Sequence, residues 1–176
     1  MKIHTLTEKQ IEFIKKYKKI AEEIERKTGI SKLFILAQAA LESGWGSSIP
    51  GNMFFGVKAK KDTPANKKQL LVTNEVLKTD KEGYKFPVVL EIKKRADGKF
   101  VYKVKDWFMK YDTPEECFTD HANFFYRNKR YSKALEVKSN PYRFAEEIAA
   151  AGYATATNYA NKLKLIIENI EKCEIK

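Results

Sequence analysis

Apolar side chains recur at helical spacing from the start of the chain. Ile11, Ile14, Tyr17, Ile20, Ala21 and Ile24 fall on one face of a helix expected over roughly residues 8–28. Thr7, with Gln10 three residues later, reads as a capping box that opens it. Gly29 supplies its stop. Ser31 caps a second helix carrying Phe34, Leu36, Ala37, Ala40 and Leu41, which ends at Gly44. The link between the two is short, so they are expected to pack as neighbours. Residues 47–61 read as a loop, with Pro50, Gly51 and Gly56 around the pair Phe54-Phe55. Residues 69–110 change character. Leu70–Thr73 and Val88–Ile92 look like strands, and Ala96-Asp97-Gly98 is a tight turn joining Leu90–Arg95 to Lys99–Val104 in a hairpin. Helical signals return at Thr113-Pro114-Glu115-Glu116, with a cap, a proline at the first position and an acid at the third. Asn140-Pro141 opens another helix, closed at Gly152, and a last one runs over about residues 158–171.

The expected order is therefore α-α-β-α-α-α, without an internal repeat or a low-complexity linker. A single domain over residues 1–176 is expected, with a helical lobe over about 1–68 and 107–176 and a β lobe over about 69–106.

Composition narrows the partners. Hydrophobic residues make up 43% of the 176 and aromatics 12%, enough for a real core. Lys+Arg 34 against Asp+Glu 23 leaves a net charge of +11, which favours a polyanionic partner. The lysines are interleaved with acids (Lys15, Lys16, Lys18 and Lys19 beside Glu22, Glu23 and Glu25), so no dedicated nucleic-acid arm is expected. No apolar run reaches the roughly 18 residues a membrane span needs. Met1-Lys2-Ile3-His4-Thr5 leads directly into a polar amphipathic segment without a secretory apolar stretch. Synthesis in the cytoplasm is the matching expectation. Cys117 and Cys173 lack metal-ligand spacing and are expected as reduced thiols, with a disulfide between them as the alternative. The chain shows no Ser/His/Asp order, zinc signature or phosphate-cradling glycine loop, so no metal or cofactor is implied. His4 and His121 are isolated, and His121, inside a helix beside Asp120, reads as structural.

The chemistry concentrates at Ala37-Gln38-Ala39-Ala40-Leu41-Glu42-Ser43-Gly44-Trp45-Gly46. An apolar helix ends there in a carboxylate, a glycine stop and an aromatic. The C-terminal end of a helix carries partial negative charge and disfavours an ionised Glu42. Partial burial would push its pKa the same way. A carboxyl kept protonated near neutral pH is what a general acid needs. Glu75, following Leu71-Val72-Thr73-Asn74 at a strand end, reads as edge decoration or as the second carboxylate of a glycoside hydrolase. Tyr153, just past a helix stop, reads as packing or as a site residue. Phe54, Phe55, Tyr126 and Tyr131 suit either stacking on sugar rings or an aromatic core.

Several motifs, in order, carry a resemblance. Ala37–Gly46, then Asn52-Met53-Phe54-Phe55-Gly56-Val57-Lys58 and Thr73-Asn74-Glu75, resemble glycoside hydrolase family 73, the bacterial peptidoglycan N-acetylglucosaminidases. The match continues through Phe108–Tyr111 with Asp112-Thr113-Pro114-Glu115-Glu116. It closes with Ala151-Gly152-Tyr153-Ala154-Thr155 and Asn158-Tyr159-Ala160-Asn161-Lys162-Leu163, and spans roughly residues 8–172.

The resemblance implies a lysozyme-like α+β fold, in which a mainly helical lobe and a small antiparallel β-hairpin lobe flank a glycan groove. It implies hydrolysis of the β-1,4 bond after N-acetylglucosamine in peptidoglycan. Beside it, a monomer that neither inserts into membranes nor binds a specific nucleic acid is expected. Carried over by motif, Glu42 is the general acid, Glu75 the candidate second carboxylate, and Tyr153 lines the reacting subsite. Trp45, Phe54 and Phe55 are the implied groove or loop-support positions, and with Asn52, Tyr126, Thr155 and Asn158 they make up the candidate substrate-binding set. Many family members carry export signals and wall-binding repeats, and neither is seen in this sequence. A phage lysin released through a holin, or an effector exported by another route, is the corresponding expectation. A muramidase of the same fold and a non-hydrolytic wall-binding module are the nearest alternatives, with a nucleic-acid binder behind them.

Overall fold

The computed structural model describes residues 5–174, so His4 lies outside the described residues. The chain divides into two compact units, a helical one of residues 1–55 and 113–176 and a sheet-bearing one of residues 56–112.

In the helical unit, α1 spans Glu8–Thr28 and α2 spans Lys32–Ser43. The capping box is present: Thr7 Oγ1 accepts from the Gln10 N–H, and the Thr7 N–H donates to Gln10 Oε1. Gly29 ends α1 in the left-handed conformation, with φ 76°. Ser31 stands at the start of α2 as expected, but its side chain makes no capping bond and is buried. Every residue from Phe34 to Ala40 of α2 is buried. A helix apolar on all sides belongs in the middle of a bundle, and α2 does pack against α1, α5 (Pro141–Ala150) and α6 (Tyr159–Glu174).

Between these lies α3, Pro114–Arg127, whose cap Thr113 accepts from the Glu116 N–H at 3.2 Å. Thr113→Ala is expected to cost about 1 kcal/mol, the usual worth of such a cap. A urea melt checks it, and an unchanged midpoint would refute it. A short helix, α4 at Ser132–Leu135, was not legible in the sequence, because four residues carry no period. The aromatic core runs through Phe34, Phe125 and Phe144, with Phe34 edge-on to both partners.

The sheet unit holds β1 (Lys68–Leu77), β2 (Val88–Lys94) and β3 (Phe100–Met109), all antiparallel, in the order β1-β3-β2. The hairpin expected around Asp97-Gly98 joins β2 to β3, and Gly98 takes φ 83° there. β1 is longer than the sequence suggested, so Glu75 lies inside the strand, opposite Tyr102, rather than at its end. The unit is also larger than the expected β lobe. Residues 57–59 pair with the end of β3, where the Met109 N–H donates to the Val57 carbonyl at 2.8 Å and the Ala59 N–H to the Trp107 carbonyl at 3.0 Å. Those bonds tie residues 56–67 and 107–112 to the sheet. The crossover from β1 to β2 is pinned by the buried Tyr102, whose hydroxyl donates to the Thr79 carbonyl at 2.7 Å and accepts from the Glu82 N–H at 3.1 Å. Helices segregated from an antiparallel sheet make this an α+β chain.

Candidate active site

Glu42 lies in the last turn of α2, where no basic side chain offsets the negative end of the helix. The helix stops abruptly after it. Gly44 and Trp45 both take φ 56°, and the Trp45 N–H donates to the Ala40 carbonyl at 2.7 Å. A left-handed tryptophan costs about 1–2 kcal/mol, so the turn is held there by its surroundings. Those surroundings are visible. The Trp45 ring meets Phe13 edge-on at 5.7 Å, Ser43 Oγ accepts from the Gly46 N–H at 3.0 Å, and the Ser48 N–H donates to the Ser43 carbonyl at 3.1 Å. The turn folds back over the helix end and fixes the direction in which Glu42 leaves it.

Glu42 is open to solvent, yet enough protein surrounds its carboxyl to matter. Desolvation raises its pKa, and a hydrogen bond from the Tyr159 hydroxyl to Glu42 Oε1 at 2.7 Å opposes the rise without cancelling it. Tyr159, the first residue of α6, also accepts from Gln38 Nε2 at 3.0 Å. Gln38 Oε1 in turn lies 2.5 Å from His121 Nε2. Gln38 and His121 are both buried, and the His121 ring lies flat on Phe55 with centroids 3.7 Å apart. Burial pushes the His121 pKa down to about 3, Asp120 opposing only weakly, so the ring is neutral under ordinary conditions.

Tyr153 stacks on Tyr159 at 5.5 Å. Burial, followed by the charge of Glu42, pushes the Tyr153 hydroxyl well above the usual tyrosine range. Tyr159 is pushed up in the same way, by burial first and then by Glu42. Two tyrosines that stay protonated thus flank one acid that is easily protonated. Cys117 is buried and free, Cys173 is free as well, and burial raises the Cys117 thiol to about 12, so it is inert.

Glu75 belongs to the sheet unit. Lys58 Nζ sits 2.6 Å from Glu75 Oε1 and 3.0 Å from Asp106 Oδ2, one ammonium shared by two carboxylates. Burial works against the charged Lys58, but the two carboxylates outweigh it and raise its pKa.

Three of the expected sugar-binding aromatics stand elsewhere. Phe54 and Phe55 are only 1% and 6% exposed, packed against Tyr17 and Phe118 and against His121 respectively. Their faces are taken by the core, so they support the site from beneath rather than stack on a ligand. Tyr126 is exposed, but its hydroxyl donates to the Thr28 carbonyl at 2.5 Å and accepts from Lys138 at 2.9 Å. Thr28 leads into the start of α2, and the helical rise from Lys32 to Glu42 separates that end from Glu42 by about 15 Å. Trp45 is half-buried on Phe13. Asn52 is half-buried at φ 56°, and Thr155 and Asn158 are exposed.

The structure thus brings Glu42 and Tyr153 together and adds Gln38, His121 and Tyr159, which the sequence reading had not placed in the site. One signal was available. A glutamine inside Leu36-Ala37-Gln38-Ala39-Ala40, one turn before Glu42, is a polar group on a buried helix and needs a partner. Among the described residues, no cluster of His, Cys, Asp or Glu is suited to a metal ion, and no helix is long and apolar enough to cross a membrane.

Comparison with known proteins agrees with this layout. Over 167 residues the chain is 30% identical to the peptidoglycan hydrolase FlgJ of Pseudomonas aeruginosa, covering 91% of this chain and 36% of that protein. It is 32% identical over 144 residues to the exo-glucosaminidase LytG of Bacillus subtilis, covering 77% of this chain and 43% of the relative. The chain therefore spans less than half the length of these curated relatives. The solved glycoside hydrolase domain of Salmonella typhimurium FlgJ superposes with a TM-score of 0.69 at 29% identity, covering 93% of this chain and 98% of that one. The fold is accordingly lysozyme-like. The family model described as mannosyl-glycoprotein endo-beta-N-acetylglucosaminidase matches residues 18–172, and the chain belongs to that glucosaminidase family, glycoside hydrolase family 73.

Proposed function

We propose that this chain hydrolyses the β-1,4 glycosidic bond after N-acetylglucosamine in peptidoglycan, as a monomer, with Glu42 as general acid. The observation that carries this is the state of Glu42: a helix-end carboxyl raised by desolvation, yet oriented by a hydrogen bond from Tyr159. Family membership and the similarity to peptidoglycan hydrolases support the substrate class. The net charge of +11 suits an anionic wall.

In this mechanism Glu42 gives its proton to the glycosidic oxygen as the bond breaks through an oxocarbenium-like state. Tyr153 acts as a neutral donor, since its hydroxyl is held protonated. Two routes serve the opposite face of the sugar. Glu75 activates a water, giving inversion, or the substrate's own N-acetyl oxygen attacks, giving retention. The ion pair with Lys58 bears on that choice, because a base engaged by an ammonium at 2.6 Å must loosen it to accept a proton.

Purified peptidoglycan treated with the protein, reduced and examined by mass spectrometry is the test. N-acetylglucosamine at the new reducing end is the expected product. N-acetylmuramic acid there would identify a muramidase instead. Binding to walls without any soluble product would make the chain a glycan-binding module.

A further inference from the structure

We propose that His121, Gln38 and Tyr159 form a one-way hydrogen-bond chain that dictates which oxygen of the Glu42 carboxyl carries the proton. The proposal rests on Glu42 being the acid.

Direction follows from what each group is able to donate. Gln38 Oε1 has only lone pairs, so His121 Nε2, 2.5 Å away, holds the hydrogen between them. That bond fixes the amide, and Gln38 Nε2 is left to donate to the Tyr159 oxygen at 3.0 Å. Tyr159 has one proton. With its oxygen already accepting from Gln38, it gives that proton to Glu42 Oε1 at 2.7 Å. All three bonds therefore point toward Glu42. In the neutral acid, the oxygen that accepts from Tyr159 is the carbonyl oxygen. The proton resides on Oε2, the other oxygen, and that is the one left to meet a glycosidic bond.

The chain is built to keep its direction. His121 lies flat on Phe55 and parallel to Phe124, at 3.7 and 6.0 Å, so the ring cannot turn over without breaking two stacks. Gln38 is fully buried one turn below Glu42 on the same helix. Among the described residues, the titratable groups facing this assembly are Tyr153 from the segment after α5, Tyr131 from the turn before α4, and Asp120 and Cys117 from α3. The arrangement also carries a cost that points to its purpose. A bond donated by Tyr159 favours the charged carboxylate and works against the proton retention that desolvation promotes. A site built for proton retention alone would omit it; a site built for proton placement requires it.

The test combines a spectroscopic readout with pH–rate profiles. In the wild-type protein, ¹⁵N-histidine NMR should show His121 as the neutral Nε2–H tautomer from about pH 5 to 8. The Nδ1–H tautomer there would reverse the chain and overturn the proposal. Tyr159→Phe, still folded by thermal melt, should lower kcat on solubilised peptidoglycan with little change in KM. It should also move the basic limb of the profile to higher pH, since losing a bond to the charged form raises the pKa of Glu42. An unmoved profile in the folded variant would refute the chain. His121→Phe keeps the stack but frees the Gln38 amide, and should shift the same limb in the same direction. Should that variant fail to fold, the wild-type tautomer still decides. A fully active Glu42→Gln protein would remove the acid itself, a failure distinct from a wrong tautomer.

Discussion

Glu42→Gln is expected to cut lysis of purified peptidoglycan by about 10²–10⁴-fold, the range a positioned general acid contributes. The substitution is nearly isosteric, and its amide oxygen still accepts from Tyr159. It removes the exchangeable proton and also the charge that the end of α2 disfavours, so the folded state should lose nothing. The pH dependence of the wild-type enzyme follows from the same group. The pKa of Glu42 is raised, and an acid catalyst works only while protonated. Activity should therefore persist above the ordinary glutamate range and fall as pH rises through the raised value. A turbidity assay on cell walls measures both effects, and near-wild-type lysis by the variant would sink the assignment. Glu75→Gln should lose less, and an unaltered rate would remove the sheet carboxylate from the chemistry.

Phe34→Ala carries the largest expected effect on stability. The ring is 1% exposed and meets Phe125 at 6.1 Å and Phe144 at 4.6 Å, both edge-on. Its removal from the centre of the helical unit leaves a cavity that neighbouring aromatic rings fill poorly. A loss of about 3–5 kcal/mol follows from comparable truncations. For a chain of this size that corresponds to a fall in Tm on the order of 10 °C. Thermal and urea melts read it directly, and a loss below about 1 kcal/mol would mean that the core rearranges to fill the space.

Much of the fold was written locally. The bounds of α1 follow from Thr7, Gln10 and Gly29, each acting on neighbours within four residues. The β2–β3 hairpin follows from Asp97-Gly98 in the same way. Glu42 was legible because its awkwardness is also local, a carboxylate at the end of an apolar helix. What surrounds it was not. His121 and Gln38 are 83 residues apart, Gln38 and Tyr159 are 121 apart, and Tyr159 and Glu42 are 117 apart. No short-range pattern encodes bonds of that separation. Phe54 and Phe55 show a choice that only packing could make. Their motif suited a ligand surface or an aromatic core, and Tyr17, Phe118 and His121 claim both rings for the core. The length of β1 was hidden as well, since Asn74 and Glu75 are weak strand formers carried along by ten consecutive pairings with β3.

The sheet has one further consequence, for handling the protein in solution. Leu70, Val72 and Val76 of β1 and Trp107 of β3 share one face of the sheet, and all four are exposed, as is Val88 of the edge strand β2. Lys103 and Lys105 stand among them on that face, Lys68 holds its ammonium 5.1 Å over the Trp107 ring, and Lys93 and Lys94 close the free edge. Glu91, opposite Lys103 and 3.3 Å from Lys93, is the acid among them, and the excess of positive charge on this apolar strip keeps two copies from meeting there. That protection is only as long as the Debye length, about 10 Å at 0.1 M salt and about 3 Å at 1 M. Concentrated stocks should therefore stay clear in dilute buffer and turn cloudy as salt is added, the reverse of what is usually done to keep a cationic protein in solution.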